Sequence, residues 1–441
     1  VTDSTAGAGD LIDLDITGVA HGGVFVGRHE GRVVFVPDAI PGERVRVRLT
    51  DTGKKSFWRG ETLEVLTASP HRRPHIWAAA DVSAAPADRP GGADFGHIDL
   101  DHQRELKLHV LRDALDRIGG LPELEATIDA ASPILGDAGE VVAAESPDGT
   151  GWRTRVSLHV DDDGRIGPYA ARSHRVIAVD DMPLATGAIE RAAAKLTSRE
   201  PGRIDLVQPA DGRVRVLPRP RHVGRPSGPR SRAVRETVVE RAGGREFRVD
   251  AGGFWQVHRL AAHNLVERVG AALSGTGVAP DPDAWHLDLY GGVGLLATAL
   301  GDWAGPAIRM TSVESDVRAT EHAGENLAEW IGARAETDRV DRWLARLAQT
   351  ASARDRERLA RGAIVLDPPR SGAGRDVVES LVTLGPAAVV YVACDPVALA
   401  RDLATFREAG YEADAVRAVD LFPHSHHIEA VAALTPTGSR S

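Results

Sequence analysis

Cys394 is the only cysteine among the 441 residues. It follows the apolar run Val390-Tyr391-Val392-Ala393, two residues before Pro396. A buried cysteine is by default a small core hydrophobe. At the end of a strand, in a loop where ligands gather, a thiolate could serve as a nucleophile. Asp395 is adjacent, and a neighbouring carboxylate should raise a thiol pKa. Two carboxylate motifs bracket it. Ile364-Val365-Leu366 runs into Asp367-Pro368-Pro369-Arg370, where prolines stiffen the loop that holds Asp367. Downstream, Asp420-Leu421-Phe422-Pro423-His424-Ser425-His426-His427-Ile428-Glu429 offers Glu429 as a general base. The three histidines lack a second, well-spaced ligand cluster, so no metal site is expected.

Upstream, His286-Leu287-Asp288-Leu289 leads into Tyr290-Gly291-Gly292-Val293-Gly294. Glycines at the end of a first strand let a ligand approach the backbone. Glu314 ends the next strand, about 20 residues on, at the spacing of an acid that bonds a ribose diol. The pair fits a nucleoside-containing cofactor. A P-loop is excluded, because no Gly-Lys-Ser/Thr follows the glycines.

The elements that must position these residues form an alternating pattern from about Trp285. Strands are expected at Trp285–Leu289, Ile308–Val313, Ala363–Leu366 and Ala388–Val392, with amphipathic helices between them. That is the pattern of a doubly wound parallel sheet. The N-terminal part reads differently. Leu11–Ile16, Val24–Val26, Arg32–Val36, Val45–Leu49 and Thr62–Val65 are short alternating segments punctuated by Gly, Pro and Asp, which predicts a small barrel. Arg44, Arg46 and Arg48 share a strand face, followed by Lys54, Lys55, Phe57, Trp58 and Arg59, a mixture that suits single-stranded or looped RNA. Residues 70–97 read as a linker or irregular segment. A helix starts near Asp101 and stops at Gly119-Gly120. Val156–Val160 and Arg165-Ile166 form a hairpin about Asp161-Asp162-Asp163-Gly164. From Arg213 to Arg235 there are eight arginines and no acid, which predicts a flexible RNA-contacting loop.

With 42% apolar and 26% charged residues the chain is globular, and its length implies several domains. The net charge of −10 argues against a general nucleic-acid coat but leaves room for a local basic face. One cysteine excludes an internal disulfide. No apolar stretch is long enough to span a membrane, and the N-terminus lacks the features of a secretory signal, so a cytoplasmic protein is expected.

Taken together, Cys-x-Pro, Asp-Pro-Pro-Arg-x-Gly and the Asp-x-Phe-Pro-x-x-His-x-x-Glu tail resemble the tRNA/rRNA uracil-5 methyltransferase family. The barrel, with Val36-Pro37 and Ile40-Pro41-Gly42-Glu43, looks like a TRAM domain. Phe254-Trp255-Gln256-Val257-His258 looks like the family's Phe-x-Gln-x-Asn cofactor segment. The resemblance implies a multidomain α/β protein: a TRAM/OB-like RNA-binding barrel (1–70), a central α+β domain with the Arg-rich segment (71–250) and a Rossmann-like class I methyltransferase domain (251–441). It implies S-adenosyl-L-methionine as cofactor, held by Gln256, Tyr290, Gly292, Gly294, Glu314 and Asp367, with Asp338 an adenine contact. Cys394 would be the nucleophile that adds to carbon 6 of a uridine in tRNA or rRNA, and Glu429 the base that removes the carbon-5 proton. The product would be 5-methyluridine, the partner RNA, and a monomer is favoured.

The chain departs from that pattern in several places. Relatives that carry an iron–sulfur cluster hold it on four cysteines, whose places here read Ile76, Pro90-Gly91-Gly92-Ala93 and Met182, so no cluster is expected. The flanking Gln103 and Lys107 still fit. Asp395 and His258 each replace an asparagine. A cytosine-5 enzyme would need a second cysteine, and an amino-group methyltransferase an aromatic where Arg370 stands. A catalytically decayed RNA-binding or RNA-folding protein is the alternative of a different class.

Overall fold

The computed structural model describes residues 6–197, 200–221 and 236–438. Strands Leu11–Ala20, Val24–His29, Arg32–Val36, Arg44–Asp51 and Phe57–Thr67 close into a five-stranded barrel. Alternation explains it: Ile12, Leu14, Ile16, Val45, Val47 and Leu49 point inward and are buried, while the residues between them face out. All five strands were legible, and most run longer than expected. Two arginines of the basic face are engaged within the barrel itself. Register sets Arg46 opposite both Asp13 and Glu64, and its guanidinium bonds them at 3.1 and 3.2 Å. Arg48 lies opposite Glu61 at 2.8 Å. Cross-strand pairing of this kind partly offsets the charge of Arg46 and Arg48.

The segment after the barrel is irregular, as its prolines require, but it is no linker. Phe95 and Ile98 complete the barrel core, and Trp77, Ala80 and Ala93 pack into a second cluster with the central sheet. Arg89, 2% exposed, bonds Asp38 at 2.7 Å and the carbonyls of Val82 and Ala84. Here a buried cation does the work that hydrogen-bonded strands do elsewhere.

Asp99 caps the helix Leu100–Arg117 by accepting the His102 N–H, and Gly120, at φ +59°, follows its end. The central sheet is four-stranded, in the order Ile166–Gly167, Arg155–Val160, Gly202–Val207, Arg215–Pro220. The expected hairpin about Asp161–Gly164 is its edge. Part of the basic segment is thus a strand rather than a loop. Arg215 bonds Asp211 and Glu236, Arg219 bonds Asp205 and Arg221 bonds Asp162, all acids from outside the basic run. Residues 222–235 lie outside the described residues.

An eight-stranded sheet organises the rest. Its order is Ala333–Thr337, Arg309–Glu314, Trp285–Leu289, Ala363–Leu366, Ala388–Ala393, Glu429–Pro436, Tyr411–Asp420, Glu125–Ala130. Glu429–Pro436 alone runs against the others. The four expected strands are its centre, and their near-continuous burial is what two helix-covered faces demand. The edge strand Glu125–Ala130 comes from inside 71–250, so the catalytic sheet is not confined to 251–441. The helix Leu100–Arg117 joins it there, with Leu111 and Leu115 in one cluster with Leu399 and Leu403. Among the described residues no helix is long and apolar enough to cross a membrane.

Candidate active site

A cleft of about 2440 Å³ opens at the carboxyl ends of the parallel strands. Gln256, Tyr290, Gly292, Glu314, Asp367, Cys394 and Glu429 all line it. Gly294 and Asp338 are not in its wall. Gly294 turns the loop at φ +88° beneath, against Leu327. The Asp338 carboxylate is taken by Arg346 and by the Arg339 N–H at 2.8 Å, and Arg339, Val340 and Asp341 form that part of the wall instead.

Strand order explains the assembly. Leu289 pairs with Leu366, so Tyr290 and Asp367 emerge side by side, and the Asp367 N–H donates to the Leu289 carbonyl at 3.2 Å. Leu366 pairs with Tyr391, which brings the Cys394 strand next to the Asp367 loop. Ala393 pairs antiparallel with Ala430, and one step further in the same register sets Cys394 against Glu429. The single reversed strand is therefore what delivers Glu429 to the same edge as the thiol.

The glycine loop is built for a close ligand. Tyr290 takes φ +62°, a left-handed conformation that costs a side-chain-bearing residue roughly 1 kcal/mol or more. A Cβ at Gly291 would overlap Ser312 Oγ and the Asp288 carboxyl, whereas one at Gly292 would meet open space. Glu314 accepts the Gly292 N–H at 3.1 Å through one oxygen, and the Asp316 N–H and Ser315 hydroxyl through the other. The oxygen that takes the Gly292 N–H keeps a lone pair for a ribose hydroxyl. These features fit an adenosyl cofactor.

The acid groups at the far end hold their protons tightly. Burial, and then Glu429 and Asp367, push the Cys394 thiol up to about 12, while Arg370 acts in the other direction. Burial and Asp367 raise Glu429 well above the usual carboxyl range. Asp367 itself rises to about 7 through burial and the neighbouring Asp288, which burial raises to about 7 as well. Asp395 raises the thiol pKa too, less than Glu429 and Asp367 do. It caps the helix Pro396–Glu408 through the N–H groups of Val397 and Ala398, and it pairs with His21 of the barrel at 2.9 Å. The aspartate that stands in the place of asparagine thus has a hydrogen-bond partner from another part of the chain, and the contact raises the His21 pKa.

The three histidines diverge. His424 bonds Gln103 and the Asp148 carbonyl, His426 bonds Asp94, and His427 faces Arg370 at 3.4 Å. The places of the absent cysteines are apolar: Ala93 and Met182 belong to one buried cluster and Ile76 packs against it. That donor set offers no soft thiolate and does not suit an iron–sulfur cluster. Gln103 and Lys107 serve structure there. Lys107 is fully buried and donates to Asp420 at 2.6 Å and to the Phe422 carbonyl at 2.9 Å, pinning the segment that carries Glu429. Three participants escaped the sequence reading: His21, Arg370 as a charge beside the thiol, and Asp402. Asp402 is buried, and accepts from the Tyr391 hydroxyl and from the Ala373 and Gly374 N–H groups, tying the Asp367 loop to the Cys394 strand. Nothing in the local sequence marks these, because each acts across a tertiary contact.

Residues 8–66 match the TRAM domain, and residues 339–436 match the family described as tRNA (Uracil-5-)-methyltransferase. An uncharacterized RNA methyltransferase of Streptomyces avermitilis is 39% identical over 97% of this chain and 99% of its own. Counterparts from Streptomyces coelicolor and Bifidobacterium longum, also uncharacterized RNA methyltransferases, are 38% and 34% identical over 99% and 96% of this chain, and over 95% and 96% of their own. The crystal structure of the Pyrococcus abyssi tRNA (uracil-54, C5)-methyltransferase with S-adenosyl-L-homocysteine is 20% identical, with a TM-score of 0.65 over 96% of this chain and 100% of that one, a likeness of fold. With a barrel, a sheet edge and a cleft of this kind, and with relatives similar along nearly its whole length, the chain belongs to the S-adenosylmethionine-dependent RNA methyltransferases of the tRNA (uracil-5-)-methyltransferase family.

Proposed function

We propose that this protein methylates carbon 5 of a uridine in tRNA or rRNA, with Cys394 as covalent nucleophile and Glu429 as general base. The observation that carries the proposal is the paired register of Cys394 and Glu429 at the end of the cleft that also holds the glycine loop and Glu314. Uracil carbon 5 is a weak nucleophile. Addition of the Cys394 thiolate to carbon 6 would give an enolate whose carbon 5 is electron-rich. The cofactor, when bound, supplies an electrophilic methyl group. After carbon 5 is alkylated, Glu429 would take the proton from that carbon, and the Cys394–carbon 6 bond would break to restore the ring and the thiolate. A carboxylate whose pKa is raised by burial is a stronger base once ionised, which suits this step. Gln256, Tyr290, Glu314 and Asp367 would hold the cofactor, with Gly292 giving it room and Gly294 shaping the loop. Asp338 would act through the loop it starts rather than by contact.

The target base must leave its stack to reach a thiol so enclosed. The barrel (1–70) and the central region (71–250) would grip the RNA around it, in the cytoplasm and as a monomer, with 251–441 carrying the chemistry. The test is nucleoside analysis by mass spectrometry of tRNA and rRNA from cells with and without the gene. Loss of 5-methyluridine from one fraction, restored by the wild type and not by Cys394→Ala, would establish the reaction. Unchanged 5-methyluridine in every fraction, with no second enzyme at the site, would leave an RNA-binding protein or another methyl acceptor.

A further inference from the structure

A second cavity of about 510 Å³ adjoins the main cleft, walled by the central sheet and by Gly252, Gly253 and Phe254. Arg153 lines both spaces. Its surroundings differ from those of Arg155, two residues on. Arg155 donates to Glu240 at 2.8 Å and to the carbonyls of Ala251 and Gly253 at 3.1 and 2.9 Å, so its charge is answered. Arg153 donates through Nε to the Arg155 carbonyl at 3.1 Å and lies 5.8 Å from the Trp152 ring. Among the described residues no carboxylate comes within ion-pair distance of it. The one carboxylate in the wall of the second cavity, Asp205, is already bonded by Arg203, Arg219 and Ser157. Burial pulls the Arg153 pKa down with no acid to offset it.

A guanidinium partly withdrawn from water without a counter-ion is costly to keep, and part of the cost is recovered when an anion arrives. Its planar fork matches an oxyanion bidentately. We infer that Arg153 is a phosphodiester-binding site, which takes the backbone phosphate of a nucleotide lying beside the target base as the RNA passes from the second cavity into the main cleft. The inference rests on the RNA-methylation reading only for the identity of the polyanion. A carboxylate of the cofactor has the same chemistry. The RNA source is favoured because the second cavity includes none of Tyr290, Gly292, Glu314 or Asp367.

The test is filter binding of in vitro transcribed tRNA and rRNA fragments that the wild-type protein retains, over a range of salt concentrations. Isothermal titration of S-adenosyl-L-homocysteine is run alongside. Arg153→Gln should weaken RNA binding roughly tenfold. It should also reduce the slope of log affinity against log salt by roughly 0.7 to 0.9, the share of one phosphate. Arg153→Lys should restore the slope but not the full affinity. S-adenosyl-L-homocysteine should bind as in the wild type, and the melting temperature should not fall, since a half-buried charge without an acid partner is removed. Unchanged RNA affinity and slope would overturn the proposal. So would a selective loss of S-adenosyl-L-homocysteine binding, which would assign Arg153 to the cofactor, or a lowered melting temperature with RNA binding lost only in proportion to the unfolded fraction. Were the wild type to bind RNA yet form no 5-methyluridine, an altered slope in Arg153→Gln would still support the phosphate site while the uridine reading failed.

Discussion

The outer face of the barrel and the wall of the cleft are both rich in arginine, and in each the fold pairs some of these cations with acids and leaves others without one. On the barrel, Arg46 and Arg48 are answered by Asp13, Glu64 and Glu61 on the adjoining strands. In the cleft, Arg219, Arg318, Arg339 and Arg375 are paired likewise, whereas neither Arg153 nor Arg370 has a carboxylate within 4 Å among the described residues, and the one side-chain partner of Arg370 there is His427. The total of 53 basic against 63 acidic residues therefore says little about where RNA can bind. What matters is which cations the fold leaves unanswered. Arg153 and Arg370 are two such cations in the cleft wall. A few unanswered cations in an acidic protein favour local contacts over general adhesion.

That contrast can be broken in several ways. The largest effect belongs to the thiol and its partner. Cys394→Ala should reduce 5-methyluridine formation to background in a tritiated-methyl transfer assay. Glu429→Gln should cost roughly 10² to 10⁴ in rate. It should also accumulate a protein–RNA adduct that survives denaturing gel electrophoresis, because the bond to carbon 6 can form but not be released. A Glu429→Gln protein without adduct and with full turnover would remove the base from this position.

Next comes Arg370. It opposes the acid groups that hold the Cys394 thiol at about 12. Arg370→Gln should lower kcat/KM roughly tenfold or more. It should also slow alkylation of Cys394 by iodoacetamide. The thiol's raised pKa has a definite sign in the same assay: the thiolate, and with it the alkylation rate of the free wild-type protein, should climb steadily from pH 7 to pH 10 with no plateau. A plateau near pH 8 to 9 would mean an ordinary thiol.

A smaller effect is expected where barrel and cleft meet. The His21–Asp395 pair raises the His21 pKa, chiefly through the hydrogen bond, against the opposing pull of burial. A histidine whose pKa is higher in the folded state contributes stability that is complete below its unfolded value of 6.5 and is lost as pH rises through the folded value. Asp395→Asn should remove that pH dependence from the thermal unfolding curve and change the rate by only a few-fold. The smallest effects should fall on the barrel face. Arg48→Gln breaks an exposed pair, which is worth about 0.5 kcal/mol or less. It should leave RNA affinity within about twofold. An Arg48→Gln protein that lost RNA binding as Arg153→Gln is expected to would erase the distinction between the two regions.

Much of this was legible beforehand. The alternation of Leu11–Ile16 and Val45–Leu49 sets a half-buried barrel strand, since side-chain direction alternates with every residue. The apolar runs before Tyr290, Asp367 and Cys394 set buried parallel strands, and chemistry-bearing loops fall at their carboxyl ends. Residues 70–97 misled because low periodicity reads the same whether a segment is loose or held by buried groups such as Phe95 and Arg89. Asp338 misled because a side chain one turn from a cleft can be captured by a neighbour, here Arg346.

By itself, then, the sequence determined the types of group available and the strands that present them, because burial periodicity and turn chemistry are local. It also argued against an iron–sulfur cluster, since Ile76, Ala93 and Met182 supply no thiolate. Only the tertiary structure decided three other things. It set Cys394 opposite Glu429 through a reversed strand, brought His21 of the barrel to Asp395, and left Arg153 without an acid while Arg155 received one. Each depends on residues distant in the chain, where the strength of a charge is set by what the fold packs beside it and by how much water it excludes.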